Sequence, residues 1–164
     1  MEKTNWYVVF TASRAEKRVK LCLEQAGIEN YLPVRVVERE CEGQIRRIEV
    51  PIISGCVFVR VSEVGLSSLL STCGIIALLK SERVPVTISD EQVEYLRLLN
   101  ERAGDIEVVD KAIPSGEMVR VVQGELLGIR GELIRVADRH QIVIRVSHLA
   151  GVCADIGLDS VEKL

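Results

Sequence analysis

Hydrophobic and polar positions along the first hundred residues follow two periods, and each period predicts its own type of element. Residues 6–11 read Trp-Tyr-Val-Val-Phe-Thr, an aromatic and β-branched run with little polar alternation. This composition favours a central strand that is covered on both faces. A second strand is predicted at 31–37, where Pro33 limits it to a sheet edge or a strand start. Further strands are predicted at 48–50, 52–61 and 75–79.

Three segments with the period of an amphipathic helix lie between or after these strands. Their N-cap signals are Ser13-x-x-Glu16, Ser62 and Ser89-x-x-Gln92, of which the first and last are capping boxes. Their apolar faces consist of Val19, Cys22 and Leu23, of Leu66, Leu69, Leu70 and Cys73, and of Val93, Leu96 and Leu99. Gly27 and Gly74 are expected to end the first two helices. Residues 1–103 therefore predict a small α/β sandwich, an antiparallel sheet flanked by helices.

A charged stretch at 38–47 interrupts the hydrophobic pattern. Gly43 marks a turn inside it, and residues of strand character lie on both sides. The simplest structure for this stretch is a β-hairpin whose tip carries basic and acidic side chains together. These side chains are Arg39, Gln44, Arg46 and Arg47 beside Glu38, Glu40 and Glu42.

The last third of the chain is organised around a glycine-spaced stretch at 116–133. Val119 and Val121 alternate with other residues as in a half-buried strand. The glycines suit a turn that needs positive φ, followed by a strand whose backbone is closely approached. They are Gly124, Gly128 and Gly131. A P-loop would need Gly-Lys-Ser/Thr, which is absent, and a dinucleotide-binding turn would open a helix rather than a strand.

Later strands are predicted at 133–136, 141–146, 152–156 and 159–164, which would complete a five-stranded barrel. Residues 104–114 are acidic and lack periodicity, so they are expected to be a linker. The predicted organisation is thus an α+β chain with a domain at 1–103, a linker at 104–114 and a barrel domain at 115–164.

Composition and charge exclude several classes of protein. The chain has 164 residues and is 48% hydrophobic, and it has no run of about twenty apolar residues that would span a bilayer. Its first residues lack the charged-then-apolar order of a secretory signal, so we expect a cytoplasmic protein that engages no membrane. The net charge is −3. Neither half has a basic excess, so any nucleic-acid contact is expected to be local.

The reactive side chains form no recognisable catalytic or metal-binding pattern. Five scattered cysteines contain no Cys-x-x-Cys pair, and the histidines are His140 and His148. We expect reduced cysteines that mostly serve packing, with no metal and no cofactor. No enzymatic activity is expected either, because Asp138 and His140 have no nucleophile beside them.

The motifs of both halves, in this order, resemble one family. The run from Val119 to Leu133 reads Val-x-Val-x-x-Gly-x-x-x-Gly-x-x-Gly-x-Leu and resembles a KOW motif. This motif opens the SH3-like barrel of NusG-type transcription factors and of some ribosomal proteins, and alone it leaves both classes open. The segments that follow the order of NusG N-terminal domains are 6–9, 14–18, 53–59, 74–76 and 86–93. The chain is therefore similar to the NusG/RfaH transcription antitermination family, and most similar to the UpxY-type paralogues of polysaccharide operons.

The resemblance implies a transcription elongation and antitermination factor. Such an N-terminal domain docks on the clamp helices of the RNA polymerase β′ subunit, bridges toward the β subunit, and suppresses pausing and termination. The implied polymerase-binding residues are Phe10, Arg18, Ile53, Cys56 and Phe58. Ser54-Gly55-Cys56 replaces the family's usual Pro-Gly-Tyr, so an aromatic anchor is missing. Ordinary sheet packing explains Phe10 and Phe58 equally well.

The resemblance also implies contacts with the displaced non-template DNA strand. The implied nucleic-acid-binding residues are Lys17, Lys20, Arg39, Arg46 and Arg47. Phosphate neutralisation and guanidinium stacking would be the physical basis. Pairing of the hairpin arginines with adjacent glutamates is the alternative interpretation.

The KOW domain of the family recruits partners, among them the termination factor Rho or a small-subunit ribosomal protein. The implied contact is Leu149 beside His148, with barrel packing as the alternative. We expect a barrel rather than a helical hairpin, because residues 142–146 strongly favour strands. The protein is expected to be a monomer. A general housekeeping NusG factor and a ribosome- or RNA-binding KOW protein remain the alternative functions.

Overall fold

The computed structural model describes residues 3–71 and 73–164, which form a mixed α+β structure, as predicted. Two compact units meet in sequence at Thr87–Ile88. The first contains β1 (Thr4–Thr11), α1 (Glu16–Gln25), β2 (Glu29–Tyr31), β3 (Val34–Cys41), β4 (Gln44–Pro51), β5 (Cys56–Ser62), α2 (Glu63–Leu69), β6 (Ile75–Leu78), β7 (Lys80–Ser81) and β8 (Val84–Pro85). The second contains α3 (Asp90–Arg102), β9 (Glu107–Asp110), β10 (Glu117–Val121), β11 (Arg130–Val136), β12 (Arg139–Val146), β13 (Ala150–Asp155), a 3-10 turn (Leu158–Ser160) and β14 (Val161–Lys163). The predicted domain limits at 103 and 115 stay a prediction.

The first unit is built on a four-stranded antiparallel sheet in the order β2-β5-β1-β6. Strand β1 lies between β5 and β6, and Val8 of β1 is paired with Phe58 of β5. The run from Trp6 to Val9 is buried on both faces, which confirms the prediction of a central, covered strand. On one face a core cluster joins strand residues such as Tyr7 and Val57 to the inner faces of α1 and α2.

Two of the three predicted helix caps are confirmed. The Ser62 side chain accepts from the amide of Gly65, and Ser89 forms the predicted capping box with Gln92. The prediction of a capping box at Ser13 is wrong, since α1 begins at Glu16 without a side-chain cap. Arg14 takes a φ of 64°, which turns the chain before the helix and leaves Ser13 outside it.

The second helix ends earlier than predicted. It stops at Leu69, whereas the sequence pattern placed Leu70 and Cys73 on it. Cys73 and Gly74 both take positive φ, at 59° and 72°, so this stretch forms a left-handed turn that leads into β6.

The prediction of five reduced cysteines is wrong for one pair. Cys22 of α1 and Cys73 form a disulfide across 51 residues of sequence, with Cα atoms 5.5 Å apart. The fold brings the turn at 73–74 onto α1, a proximity that sequence spacing alone does not give. Cys41, Cys56 and Cys153 are free thiols, the first exposed and the other two buried.

The second unit is a six-stranded sheet in the order β14-β10-β11-β12-β13-β9. Five strands were predicted there; the sixth, β9, lies inside the predicted linker and pairs with β13. The glycine interpretation is confirmed: Gly124 and Gly128 have a φ of 91°. A Cβ on Gly131 would lie 2.7 Å from the Val143 carbonyl oxygen, so β12 does approach this backbone closely.

Candidate polymerase-docking face and charged hairpin

A short loop before β5 is held in place by a buried carboxylate. The amide of Gly55 donates to Oε2 of Glu16 at 2.9 Å, and the Gly55 carbonyl accepts from the amide of Thr11 at 2.8 Å. Only 5% of the Glu16 surface is exposed. Gly55 has a φ of 75°, which a residue without a side chain adopts at no steric cost. The loop is therefore fixed between the end of β1 and the first turn of α1.

Cys56 follows this loop and is buried beneath it. Its Sγ lies 3.6 Å from the carbonyl oxygen of Ile53. Burial, with a smaller contribution from the negative charge of Glu16, raises the pKa of the Cys56 thiol to about 12. The thiol is thus protonated at neutral pH and acts as a packing group rather than as a nucleophile.

The five residues implied in polymerase binding differ in accessibility. Phe58 has no exposed surface, and Cys56 and Ile53 are also buried. The Phe58 ring packs against Tyr31, with centroids 6.1 Å apart. Phe10 is half-buried and paired with Cys56, while Arg18 is exposed on α1. Phe10 and Arg18 therefore offer contact surface, and the other three lie beneath the surface.

The charged stretch forms the predicted hairpin, and it stands as a separate two-stranded sheet of β3 and β4. The predicted strand at 31–37 is interrupted at Leu32–Pro33, so β2 ends and β3 begins on either side. Glu42 and Gly43 connect the strands, and both have positive φ. Two central residues of this kind are typical of a type I′ hairpin turn.

The register of this hairpin separates its charges onto two faces, because alternate residues of a strand point to opposite sides. Arg39 lies opposite Arg46. Glu38 lies opposite Arg47, one position along. The basic face contains Arg35, Val37, Arg39 and Cys41 of β3 and Gln44, Arg46, Ile48 and Val50 of β4. The acidic face contains Val34, Val36, Glu38 and Glu40 of β3 and Ile45, Arg47, Glu49 and Pro51 of β4.

Sequence reasoning treated these charges as one mixed tip because it lacked the register. The structure brings Arg39 and Arg46 together and places Arg47 among glutamates on the other side. Like charges directly opposite each other destabilise a ladder, so a basic pair at this position is a feature that folding alone does not explain.

The lysines of α1 are engaged in contacts within the first unit. Lys17 Nζ donates to the carbonyl oxygen of Glu49, at the base of the hairpin, at 2.9 Å. Lys20 Nζ lies 2.9 Å from both Oε1 of Glu24 and Oδ1 of Asn30. Neither lysine lies on the basic face of the hairpin.

In the second unit, His148 and Leu149 belong to the tight turn between β12 and β13. His148 is exposed with a φ of 65°, and the amide of Leu149 donates to the Val146 carbonyl at 3.0 Å. Leu149 is half-buried. The turn therefore presents the His148 side chain and part of Leu149.

Sequence reasoning missed a polar network at the start of β10. Arg145 pairs with Glu132, with Nε 2.7 Å from Oε2, and it also donates to the carbonyls of Lys111 and Pro114. The amide of Gly116 donates to Glu132 Oε1 at 2.9 Å. Burial opposes the charge of Glu132, but the hydrogen bonds from Arg145 and Gly116 outweigh it and lower the pKa of this carboxyl. The sequence signal was an acidic residue in one strand and a basic residue in the next strand along the chain.

The described ranges contain no group of three His, Cys, Asp or Glu side chains that would hold a metal ion. None of the helices in 3–71 and 73–164 has the length and hydropathy that a bilayer crossing demands.

A family model described as transcription termination factor nusG matches residues 4–97, more than half of the chain. The protein belongs to the NusG family. The matched range covers β1, α1, the Gly55 loop and the charged hairpin, so these elements are parts of a NusG-type domain. The fold agrees with this membership, because a part of mixed sheet and helix is followed by a sheet-rich part that resembles a KOW domain.

A solved structure of the NusG family has the same fold. It is described as "Domain interaction in Thermotoga maritima NusG" and superposes with a TM-score of 0.52 at 18% sequence identity. The match covers 99% of this chain and 98% of that chain, so it includes both units. A search of curated proteins found no match.

Proposed function

We propose that this NusG-family protein binds the clamp helices of the RNA polymerase β′ subunit, reaches toward the β subunit, and suppresses pausing and termination. The observation that carries the proposal is the fixed loop at 52–55. Its backbone is bound to Glu16 and Thr11, so it holds its shape before a partner arrives. A preorganised surface of this kind lowers the entropy cost of association. Catalysis has no part in the proposal.

The proposed docking face has two layers. Phe10 and Arg18 make direct contact, since they carry the accessible surface. Ile53, Cys56 and Phe58 lie beneath and set the position of the loop and of β1. An aromatic and an arginine side chain are the types that most often dominate binding energy at an interface.

Loss of the Arg18 charge tests this assignment. We expect Arg18→Gln to weaken binding to bacterial RNA polymerase roughly tenfold, as for a moderate hot spot. Gln25→Glu is the matched control, because it makes the same change in net charge on an exposed position at the other end of α1. Equal losses for both variants, or undiminished binding to a polymerase without clamp helices, would contradict the proposal.

The basic face of the hairpin is proposed to contact the non-template DNA strand. Arg39 and Arg46 form its exposed centre, and their separation from the glutamates removes the nearest competing carboxylates. The hairpin face has no aromatic residue, so contacts to phosphate rather than base stacking are expected to dominate. Lys17, Lys20 and Arg47 belong to the wider predicted set but are directed to other contacts or to the other face.

A pair of neighbouring arginines gives a sharp test. Arg46→Gln or Arg39→Gln should each reduce the salt dependence of binding to a transcription-bubble DNA by about 0.7 in the logarithmic slope, the value for one phosphate of a single strand. Arg47→Gln is the control, with the same charge change one residue away on the acidic face. Equal slopes for all three variants would show that the two faces do not act differently.

Operon specificity and the partner of the second unit complete the proposal. We propose an operon-specific factor, and genome-wide occupancy confined to a few operons would support it. Broad occupancy would favour a housekeeping NusG factor.

The turn at His148 and Leu149 is proposed to recruit Rho or a small-subunit ribosomal protein. Ribosome co-sedimentation that persists without polymerase would instead favour the ribosome-binding alternative.

A further inference from the structure

We propose that Cys22 and Cys73 form a reversible thiol–disulfide switch that fastens the turn before β6 to α1. The pair joins two parts of the first unit that also shape the proposed docking face: α1 carries Glu16 and Arg18, and β6 is the neighbour of β1 beside Phe10.

The two cysteines are brought together by packing as well as by their covalent bond. Val19 and Cys22 are three residues apart on α1, so they share one face of the helix. A Cβ built on Gly74 would lie 4.0 Å from Cγ2 of Val19. The turn at 73–74 therefore rests on this helix face, and the Cα separation of 5.5 Å is one that a disulfide spans without backbone movement.

The turn is the kind of segment that a cross-link can hold or release. Cys73 is a non-glycine residue with a φ of 59°, a conformation that persists only where its surroundings impose it. β6 lies at the end of the sheet, and its register on β1 shifts between Phe10 and Thr11. Ile76 is 68% exposed. Ile75 and Leu78 hold β6 in the core, so reduction of the disulfide removes a constraint mainly from the turn that leads into this short edge strand.

The accessibility of the thiols separates this pair from the other cysteines. Cys22 and Cys73 are half-buried, so a small reagent reaches them without unfolding. Cys56 and Cys153 are buried, and burial raises their pKa to about 12 and about 11, which keeps them unreactive. Cys41 is exposed at the hairpin tip and has no disulfide partner among the described residues.

The reaction is an exchange with a low-molecular-weight disulfide such as oxidised glutathione. The thiolate of one cysteine attacks this disulfide, forms a mixed disulfide and releases one thiol. The second cysteine then attacks the protein sulfur and expels the other half as a second thiol. Two protein thiols lose two electrons and two protons, and the small disulfide gains them. Since a transcription factor works where thiols are kept reduced, a disulfide there is typically transient or redox-sensing.

Thiol counting in glutathione buffers tests reversibility. The full chain is equilibrated at a series of ratios of reduced to oxidised glutathione, quenched with acid, and alkylated with N-ethylmaleimide under denaturing conditions. The count is made on Cys41→Ala, because the exposed Cys41 thiol would itself form a mixed disulfide with glutathione. We expect two adducts per chain under oxidising conditions, for Cys56 and Cys153, and four under reducing conditions. A constant count of two or four across the whole series would overturn the switch.

Hydrogen exchange measures the structural consequence. Exchange of peptides that cover 73–78 should be roughly tenfold faster after reduction, as for release of a local opening constraint. Cys22→Ala should exchange at the fast rate in both buffers, whereas Cys41→Ala should respond like the unmodified chain. Equal rates for oxidised and reduced protein would overturn the proposal. This readout does not depend on polymerase binding, so its failure and that of the proposed function are distinguishable.

Discussion

Glu16 and Glu132 each hold a connecting segment of their unit through a glycine amide, yet their surroundings differ. Each carboxylate accepts a hydrogen bond from a glycine amide at 2.9 Å and so fixes a connecting segment, the Gly55 loop in one unit and the start of β10 in the other. Glu132 is paired with Arg145. Glu16 is almost fully buried, and among the residues that the structure describes it has no ion-pair partner.

The pairing of Glu132 is explained by stability alone, whereas the burial of Glu16 without a counter-charge is not. The charge of Glu132 is balanced by a neighbouring guanidinium, so its site is complete without any partner molecule. The Glu16 carboxylate is buried without a guanidinium beside it, and the amide of Gly55 and the first turn of α1 offset its loss of water. Local arrangements that are less than optimal for stability concentrate at functional sites, and this one lies beside the proposed docking face.

The largest effect is expected from removal of the charge at Glu132. Glu132→Gln leaves Arg145 without its counter-charge and should lower the free energy of unfolding of the second unit by about 3 kcal/mol. Urea unfolding followed through NMR signals of β10 to β13 measures it. Glu117→Gln is the control, since its exposed pair with Lys163 at 3.4 Å contributes little. Equal losses for both variants would contradict the role assigned to Arg145.

The pH dependence of the same unit gives a second prediction. The pKa of Glu132 is lower in the folded protein than its ordinary value of 4.5. Its contribution is therefore fully present above that value and is lost as the pH falls through the folded pKa. The difference in unfolding free energy between the unmodified chain and Glu132→Gln should shrink below about pH 4.5. A difference that stays constant down to about pH 3 would show that the charge is not responsible.

The glycine at the same site provides a third, smaller prediction. A Cβ on Gly116 would lie 2.2 Å from the Leu133 carbonyl oxygen, a backbone atom that cannot easily move. Gly116→Ala should therefore destabilise the second unit by about 2 kcal/mol, as overpacking does. Gly104→Ala is the control, because a Cβ at that position would have no atom within 4 Å. The same NMR-detected unfolding compares the two.

Sequence reasoning recovered what depends on local signals. The central strand at Trp6, the caps at Ser62 and Ser89 and the turn at Gly43 each follow from the residue and its near neighbours. The family resemblance followed from the order of such segments.

Features that depend on register or on distant segments were not recovered. Ser13 and Glu16 have capping-box spacing, but the carboxylate bonds to a loop 39 residues away. The sorting of the hairpin charges needs the pairing of Arg39 with Arg46, which the order of residues does not state. The cross-link between Cys22 and Cys73 likewise depends on how the turn packs on α1.

In the first unit, Gly55 offers the counterpart of the Gly116 test. Its φ of 75° is strained for alanine, but the nearest atom to an added Cβ, the Thr11 carbonyl oxygen, is 3.6 Å away. Gly55→Ala should therefore cost only the left-handed conformation, about 1 kcal/mol. Fluorescence of Trp6, the single tryptophan, follows unfolding of this unit. Ser54→Ala is the neighbouring control. If Gly55→Ala lowered the unfolding free energy as much as Gly116→Ala does, the loop would be more tightly packed than the distances indicate.

The smallest effect is expected where the comparison is most direct, at Glu16→Gln. A glutamine retains an acceptor for the amide of Gly55 and no longer carries a buried charge, so two opposing changes nearly cancel. The lost interaction with the first helical turn is worth about 0.5 kcal/mol, and it is offset by relief of the desolvation that a buried carboxylate suffers. The unfolding free energy from Trp6 fluorescence should therefore change by less than about 0.5 kcal/mol, against about 3 for Glu132→Gln. A loss of about 3 kcal/mol would reveal a balancing charge at Glu16, and the two carboxylates would then be alike. Unchanged stability with weakened polymerase binding would instead assign the buried charge to function.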